Sequence, residues 1–476
     1  VLDDVLDEVK SRGVHAQKGI AGGEGDSGEG DSGEGDSGEG DSGEGPPRSQ
    51  RIELSGREHA RCCERETASS PGSFPMPTDV LTLLAPDRAR HAEAMYDLIA
   101  KTFPIDGNYF NALHAVRGGF LEKGHYDWTT SRIGVLEGHL VTHFGVWAYT
   151  MRIGGARVRC AGIGAVATHG DYRKRGLMVQ TARASLAAAR EAGYDFSLLF
   201  GIPDFYHRFG FVVAWPEVTY TMSQAELPAE PPSVPVIPIT PDQRQDLHEL
   251  YNREHALVTG TAVRPTRSQY GPPNFWQTYL WLGEDGLPAG YLSGRADGGR
   301  FLHGDSAGDV EQRLRLLGQL ARTAQCSEVV FVSQPETSPL AQRLRRLNVK
   351  MEVRHSRNGG PMIATLNLPS ALTKMTEELS CRLQAHGVRW EGRLLISTAQ
   401  EAATLEIAGT TVRVLPPVET PHAIHGGDAL ARLLLGSAPP EELVAQGEIT
   451  VAGDAHWLVP TLFPAQYPML PAPDRF

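Results

Sequence analysis

Hydrophobic and polar positions fall into a regular succession only from Val80 onward. A short apolar run (Val80 to Leu84) precedes a helix-like stretch from Arg88 to Thr102, and strand-like segments follow between Ser131 and His169. Those segments break at Glu137-Gly138 and Gly154-Gly155, turn-like pairs that predict an antiparallel meander. From Leu177 to about Ala192, Met178, Ala182, Leu186 and Ala189 share one face at helical spacing, and Gly193 supplies the stop. A buried strand, Phe196 to Ile202, comes next. Strand, helix and strand at this spacing predict a parallel pair joined by a crossover.

A proline-rich stretch, Leu227 to Pro241, reads as an extended linker. The block behind it, about Val236 to Gly360, repeats the mixed order: helix (Gln243 to Ala256), strands near Tyr291 and Phe301, helix (Val310 to Thr323) and buried strand (Glu328 to Val332). A third block opens with a strand at Met362, then a helix from Ser370 to His386 and strands at Arg393 to Ser397, Ala403 to Ile407 and Val412 to Leu415. A helix from Ala429 to Leu435 and a proline-rich ending complete it. The pattern predicts an α/β (α+β) chain cut as 1–75, 76–224, 225–360 and 361–476, in keeping with two to four domains for 476 residues.

The first segment differs in kind. Between Gly22 and Gly45 the unit GEGDS repeats with nothing apolar to bury, so this stretch is expected to be a disordered, solvated leader. Met76, just before the first strand pattern, is the expected native start, and a native product of 51.7 kDa by mass spectrometry would refute that. The formal charge of −12 is lopsided: residues 1–75 hold 17 acidic against 8 basic side chains, while residues 76–224 hold 15 basic against 13 acidic. No large basic surface for nucleic acid is indicated. Five cysteines, two of them adjacent (Cys62 and Cys63), do not make a disulfide framework, and Cys160, Cys326 and Cys381 read as small core residues of a reduced compartment. No apolar run has the length of a membrane helix, and the acidic VLDDVLDEVK start is unlike a secretory signal. The chain is therefore expected to be cytoplasmic, without membrane partners.

The strongest local chemistry lies in GIGAVATHGDYRKRGLMVQ, Gly162 to Gln180. A strand ends near His169, a loop carries Arg173, Lys174 and Arg175, and Gly176 opens a helix. The first-turn N–H groups of such a helix, with the helix dipole, form an anion site. Gly176 would let a diphosphate approach the backbone, and Gly162 and Gly164 suit a strand that bulges or admits a ligand closely. A second segment, GIPDFYHRFGF (Gly201 to Phe211), follows the next strand and offers Tyr206, a phenol that stays protonated at neutral pH where a carboxylate would not. His207 is expected to pack or hydrogen-bond at the surface.

The loop Arg173-x-x-Gly176-x-Met178 resembles the acetyl-CoA site of the GCN5-related N-acetyltransferases (GNAT), with Met178 where Gly or Ala is commoner. Together with the F-Y-x-R-F-G segment and the block order, residues 76–476 resemble the enhanced intracellular survival (Eis) family. That resemblance implies tandem acetyltransferase folds, the second degenerate because no R-x-x-G loop precedes Val310, followed by a sterol-carrier-protein-like α/β domain. It implies acetyl-CoA as acyl-donor cosubstrate, with its pantetheine along Val166, Ala167 and Thr168. The diphosphate would lie on Arg173, Lys174, Arg175, Gly176, Leu177 and Met178. A backbone N–H near Ala167 or Thr168 would steady the oxyanion. It further implies Tyr206 as the acid for the departing thiolate, the terminal carboxylate of Phe476 as the base on the amine, and a homohexamer. Family members modify aminoglycosides, polyamines or lysine side chains, so the acceptor is expected to be a primary amine on a cationic small molecule or a lysine. Loops 103–110 and 126–130, with Asp106 and Asp127, are candidates to face it.

Other chemistries have little support. His139 and His143 are four apart in a strand, where that spacing does not make the helical pair of a zinc site. His422 and His425 flank a turn without a nearby Cys, and no metal is expected. The competing class is a non-catalytic acyl-CoA or lipid binder whose third block supplies an apolar groove.

Overall fold

The computed structural model describes residues 80–105, 107–121, 125–240, 243–264, 276–334 and 336–476; the GEGDS repeats, Cys62, Cys63, Met76 and Asp106 lie outside these. In chain order the first elements are β1 (Thr82–Leu84), α1 (Arg88–Thr102), α2 (Tyr109–Ala115), β2 (Arg132–Leu136), β3 (His139–Ile153), β4 (Ala156–Thr168), α3 (Leu177–Glu191), β5 (Phe196–Gly201) and β6 (Val212–Val213). There follow β7 (Glu217–Ser223), β8 (Val236–Pro238), α4 (Arg244–Glu254), β9 (Gln277–Leu282), β10 (Pro288–Asp297), β11 (Arg300–Ala307), α5 (Val310–Thr323), β12 (Glu328–Val332), α6 (Pro339–Leu344) and β13 (Val349–Arg354). The last are β14 (Gly360–Thr365), α7 (Leu368–Ala385), β15 (Trp390–Ser397), β16 (Ala402–Gly409), β17 (Thr411–Leu415), β18 (Ala423–Gly426), α8 (Leu430–Leu435), α9 (Pro440–Ala445), β19 (Ile449–Ala452) and α10 (Ala455–Leu462).

The expected meander is β2-β3-β4, antiparallel throughout. Its first turn holds both Glu137 and Gly138 at positive φ, the conformation that matches the twist of a two-residue hairpin. The crossover is also present: β4 and β5 pair in parallel from Cys160/Phe196 to Ile163/Leu199, with α3 between them in sequence. Met178, Ala182 and Ala189 of α3 pack on one face of that sheet with Ile163 and Leu199.

Among the described residues three sheets result, and they depart from the expected cuts at two places. The first has the order β1-β2-β3-β4-β5-β14-β6, the second β13-β7-β12-β11-β10-β9-β8, and the third β17-β16-β15-β18-β19. Strand β14, read as the opening of the third block, sits inside the first sheet between β5 and β6. Strand β7, assigned to the first block by a cut at 224, pairs with β12 and β13 in the second sheet. The partners of both strands are distant in sequence, so the local pattern does not show which sheet they join. The proline-rich stretch likewise is more than a linker, because β8 forms the edge of the second sheet against β9. An edge tolerates Pro238, whose missing N–H needs no ladder partner.

Helix α7 begins two residues before the expected Ser370: the Asn367 side chain accepts from the Ser370 N–H and caps it, and Pro369 is tolerated in the first turn. This helix buries Leu372, Met375 and Leu379 against Met151, Val158 and Cys160 of the first sheet, in a core that also takes Leu434 and Leu458. The third sheet's helices therefore share their core with the first sheet. Cys160 and Cys326 are buried as expected, but Cys381 is exposed. It lies on the outer face of α7, where the apolar period does not reach. No helix of the described residues is long and apolar enough to cross a membrane.

Two buried histidines give the fold a pH dependence. Burial holds both His143 and His303 down at about 4, below the ordinary 6.5. The native state refuses protons that the unfolded chain accepts between those values, so stability present above 6.5 is lost as pH falls toward 4, by up to about 3 kcal/mol per residue. Urea midpoints at pH 7.5 and 5 should show the drop, and His143→Gln should flatten it. Equal midpoints would refute the assignment.

Candidate active site

Beyond Ile163 and Leu199 the parallel pairing of β4 and β5 stops, although β4 runs on to Thr168 and β5 to Gly201. The strands part there because β4 bends. Gly145 opposes Gly164 while His143 opposes Ala167, which leaves one extra residue on β4. Ala165 takes φ +47° within this bulge. The fully buried His143 holds it, with Nδ1 2.7 Å from the Ala165 carbonyl oxygen and Nε2 2.8 Å from the Tyr126 hydroxyl. Tyr126 in turn packs edge-on to Trp128 and Trp147.

The bulge sorts the expected pantetheine residues. The His169 N–H donates to the Val141 carbonyl, so residues 141 and 169 are a hydrogen-bonded pair, and alternation along the ladder makes His143 and Ala167 the next. Ala167 thus spends its backbone groups on β3 and is buried; this corrects its expected role in the gap. Val166 and Thr168, half-buried, turn theirs toward the gap.

After Thr168 the chain makes one 3-10 turn (Gly170–Tyr172) and reaches Arg173, Lys174 and Arg175, all exposed. Lys174 and Gly176 both have positive φ, +63° and +74°. Gly176 is the N-cap of α3, and among the described residues no side chain caps the helix. A Cβ placed at Gly176 would meet nothing within 4 Å, so glycine serves the left-handed backbone there rather than a crowded neighbour. Leu177 and Met178 are buried by their side chains, leaving only their N–H groups for an anion. The Arg175 guanidinium lies 5.3 Å from the Tyr172 ring centre.

The matching helix in the second sheet is closed to an anion. The Asp309 carboxylate caps α5 by accepting from the Gln312 N–H at 2.9 Å, and Glu311 adds a second negative charge in the first turn. Strands β11 and β12 pair in parallel only from Arg300/Glu328 to His303/Phe331, so the splay recurs without the anion site.

Tyr206 opens a 3-10 turn after β5 and is buried against Phe205 and Phe211. Burial pushes its hydroxyl up to about 12. Its ring covers Gly201, where a Cβ would come within 2.5 Å of it. This is the α3 face of the sheet. His207 is exposed, as expected.

Phe476 lies on the other face. A Cβ at Gly162 would fall 2.5 Å from its ring, and one at Gly164 would fall 2.8 Å from its carboxyl carbon. The two glycines of β4 therefore admit a close approach, and the group that approaches is the chain's own last residue. The ring centre is 5.6 Å from that of Tyr149 and 6.3 Å from that of Phe200. A phenol and a carboxyl group thus lie beside the gap on opposite faces of the sheet.

Asp127 is not free to attract an amine: its carboxylate accepts from Thr129 N and Oγ1, Thr130 N and the Tyr194 hydroxyl. These bonds outweigh burial and hold its carboxyl below the usual range. Phe103, Ile105 and Phe110 are exposed apolar side chains at the end of α1 and the start of α2. Among the described residues no group of three or more His, Cys, Asp or Glu side chains is placed to hold a metal. Tyr126, His143 and Trp147 were not legible as site residues, because an aromatic or histidine in an apolar run carries no local mark of the strand it braces.

Residues 84–214 match the family model of the acetyltransferase (GNAT) domain. The bulge, the parting strands and the uncapped helix all fall within this GNAT region, and Phe476 reaches it from outside. No curated protein matches the chain in sequence. Among solved structures, the chain is similar to a GCN5-related N-acetyltransferase of Anabaena variabilis, with 17% identity and TM-score 0.65 over 82% of this chain and 99% of that one. It is similar to one of Kribbella flavida, with 20% identity and TM-score 0.61 over 83% and 98%. It is also similar to Eis1 of Mycobacterium abscessus, with 18% identity and TM-score 0.55 over 81% and 97%. At these identities the likeness is one of fold, and it extends over all three sheets' worth of chain rather than the GNAT region alone.

Proposed function

We propose that the protein transfers an acetyl group from acetyl-CoA to a primary amine of a cationic small molecule or a lysine side chain. The observation that carries this reading is the placement of Tyr206 and the Phe476 carboxyl on opposite faces of the sheet, beside the gap where β4 and β5 part. The cosubstrate supplies the acetyl group as a thioester. The uncapped N–H groups of Gly176, Leu177 and Met178, with Arg173, Lys174 and Arg175, suit its diphosphate. The gap-facing backbone of Val166 and Thr168 suits its pantetheine arm, and the Val166 N–H is the donor nearest the bulge for the developing oxyanion.

The Phe476 carboxylate accepts the proton that the amine sheds as its nitrogen bonds to the acetyl carbon. The Tyr206 hydroxyl donates to the sulfur as the carbon–sulfur bond breaks, so the chain takes up one proton and gives up one. The exposed rim of Phe103, Ile105 and Phe110 is the proposed approach for the acceptor. The third sheet, β15 to β19 with its helices, is the proposed sterol-carrier-like domain. Thiol release from acetyl-CoA across a panel of polyamines, aminoglycosides and lysine peptides tests the reading against the non-catalytic binder. Binding of acetyl-CoA without thiol release from any amine would sink it.

A further inference from the structure

The start of α5 is closed to an anion, yet the second sheet packs against a buried charge cluster. Arg264, 5% exposed in its side chain, donates from Nε and Nη2 to the Asp474 carboxylate at 2.9 and 3.1 Å. Its Nη2 also reaches Asp305 Oδ2 at 2.8 Å. Asp305 accepts from the Tyr291 hydroxyl at 2.5 Å and stands 3.4 Å from His255 Nε2. The Arg264 guanidinium lies 3.6 Å from the Tyr251 ring centre. Asp305 belongs to β11 just past the point where β11 and β12 stop pairing.

Asp474 is two residues from Phe476. Between them Arg475 donates to Glu217 at 3.2 Å and to the Ser333 hydroxyl, with its guanidinium 4.3 Å from the Phe200 ring centre. Upstream, the Met469 N–H donates to the Thr259 carbonyl, and a Cβ at Gly260 would fall 2.7 Å from the Met469 carbonyl oxygen. The last residues are thus fastened at 469, 474 and 475 to the second sheet and its connections, and their free end rests on β4 of the first.

We propose that the second sheet is the mooring of the C-terminal tail: Arg264, held by Asp305 and Tyr291, grips Asp474 and thereby sets where the Phe476 carboxyl rests over Gly164. Arg264 and Asp474 are positioning residues; neither touches the gap between β4 and β5. A two-pronged arginine–carboxylate grip fixes direction as well as distance, which a single point charge does not. The inference rests on the proposed role of Phe476 for its effect on rate, and on geometry alone for the mooring.

Two readouts of Asp474→Asn in the full chain test it. Release of phenylalanine by carboxypeptidase should be at least about tenfold faster than from the wild-type chain. Turnover should fall about 10- to 100-fold in kcat with KM for acetyl-CoA held, the size expected of a misplaced group. In a chain already lacking Phe476, the same substitution should lower kcat no further. Arg264→Lys, which keeps the buried charge and gives up the fork, should repeat the result if the Asn variant folds poorly. Unchanged phenylalanine release would overturn the mooring, as would an equal loss of kcat in the chain without Phe476. If removing Phe476 leaves kcat unchanged while Asp474→Asn speeds release, the mooring stands and the carboxylate base is the idea that fails.

Discussion

Removing Phe476 should lower kcat by about 10²- to 10³-fold while acetyl-CoA still binds, the size expected when a placed proton acceptor is lost. The shortened chain still ends in a carboxylate, but that of Arg475 stops about one residue short, roughly 3.5 Å back along the chain. The Arg475 side chain is also tied to Glu217 and Ser333, which restrains the residue from moving forward. Ring and charge can be separated. Phe476→Ala keeps the carboxylate but loses the contacts to Tyr149 and Phe200, so it should fall between the wild type and the truncation. Amidation of Phe476 by semisynthesis keeps the ring and removes the charge, and it should be as damaging as truncation. Steady-state kinetics with a saturating donor decide the matter, and an amidated chain with wild-type kcat would refute the role.

Tyr206→Phe should cost about 10²-fold in kcat, near the low end of what general acids contribute. The low end follows from its environment. Burial holds the phenol at about 12, well above a thiol's ordinary value near 8.5, so in the proposed role it would be a reluctant donor whose hydrogen bond to the sulfur would matter as much as the proton it yields. The same burial sets the pH profile. Deprotonation of Tyr206 belongs near 12 rather than at the ordinary 10, so kcat should show no alkaline loss up to pH 10. A limb in the wild type near pH 9 that disappears in the Phe variant would contradict the buried placement, and an unchanged kcat would contradict the role.

What the sequence made legible was local. The α3 stripe, the Gly-marked turns, the Arg173-to-Gly176 loop and the Tyr206 segment each lie within about twenty residues, where spacing alone dictates which side chains share a face. Gly162 and Gly164 were read as marking a bulge or the close approach of a ligand, and the group that lies against them is the chain's own Phe476. The remainder depends on partners far away in the chain. Strand β14 joins β5 from beyond the whole second sheet, and Asp474 meets Arg264 across 210 residues. In sequence such an Asp or Arg looks like any solvated surface charge, because only the fold shows that both are buried and must be paired. Asp127 illustrates the converse: a loop carboxylate that looks available is spent on Thr129, Thr130 and Tyr194.

The most direct test of acetyl transfer is a count of products. With purified protein, acetyl-CoA and a cationic amine that elicits turnover, thiol is measured spectroscopically and acetylated amine by mass spectrometry in the same sample. The account predicts one acetylated amine for each thiol released, with both falling together in Tyr206→Phe and in the chain lacking Phe476. Thiol accompanied by free acetate and no acetylated amine, or bound acetyl-CoA that never yields thiol, would contradict it.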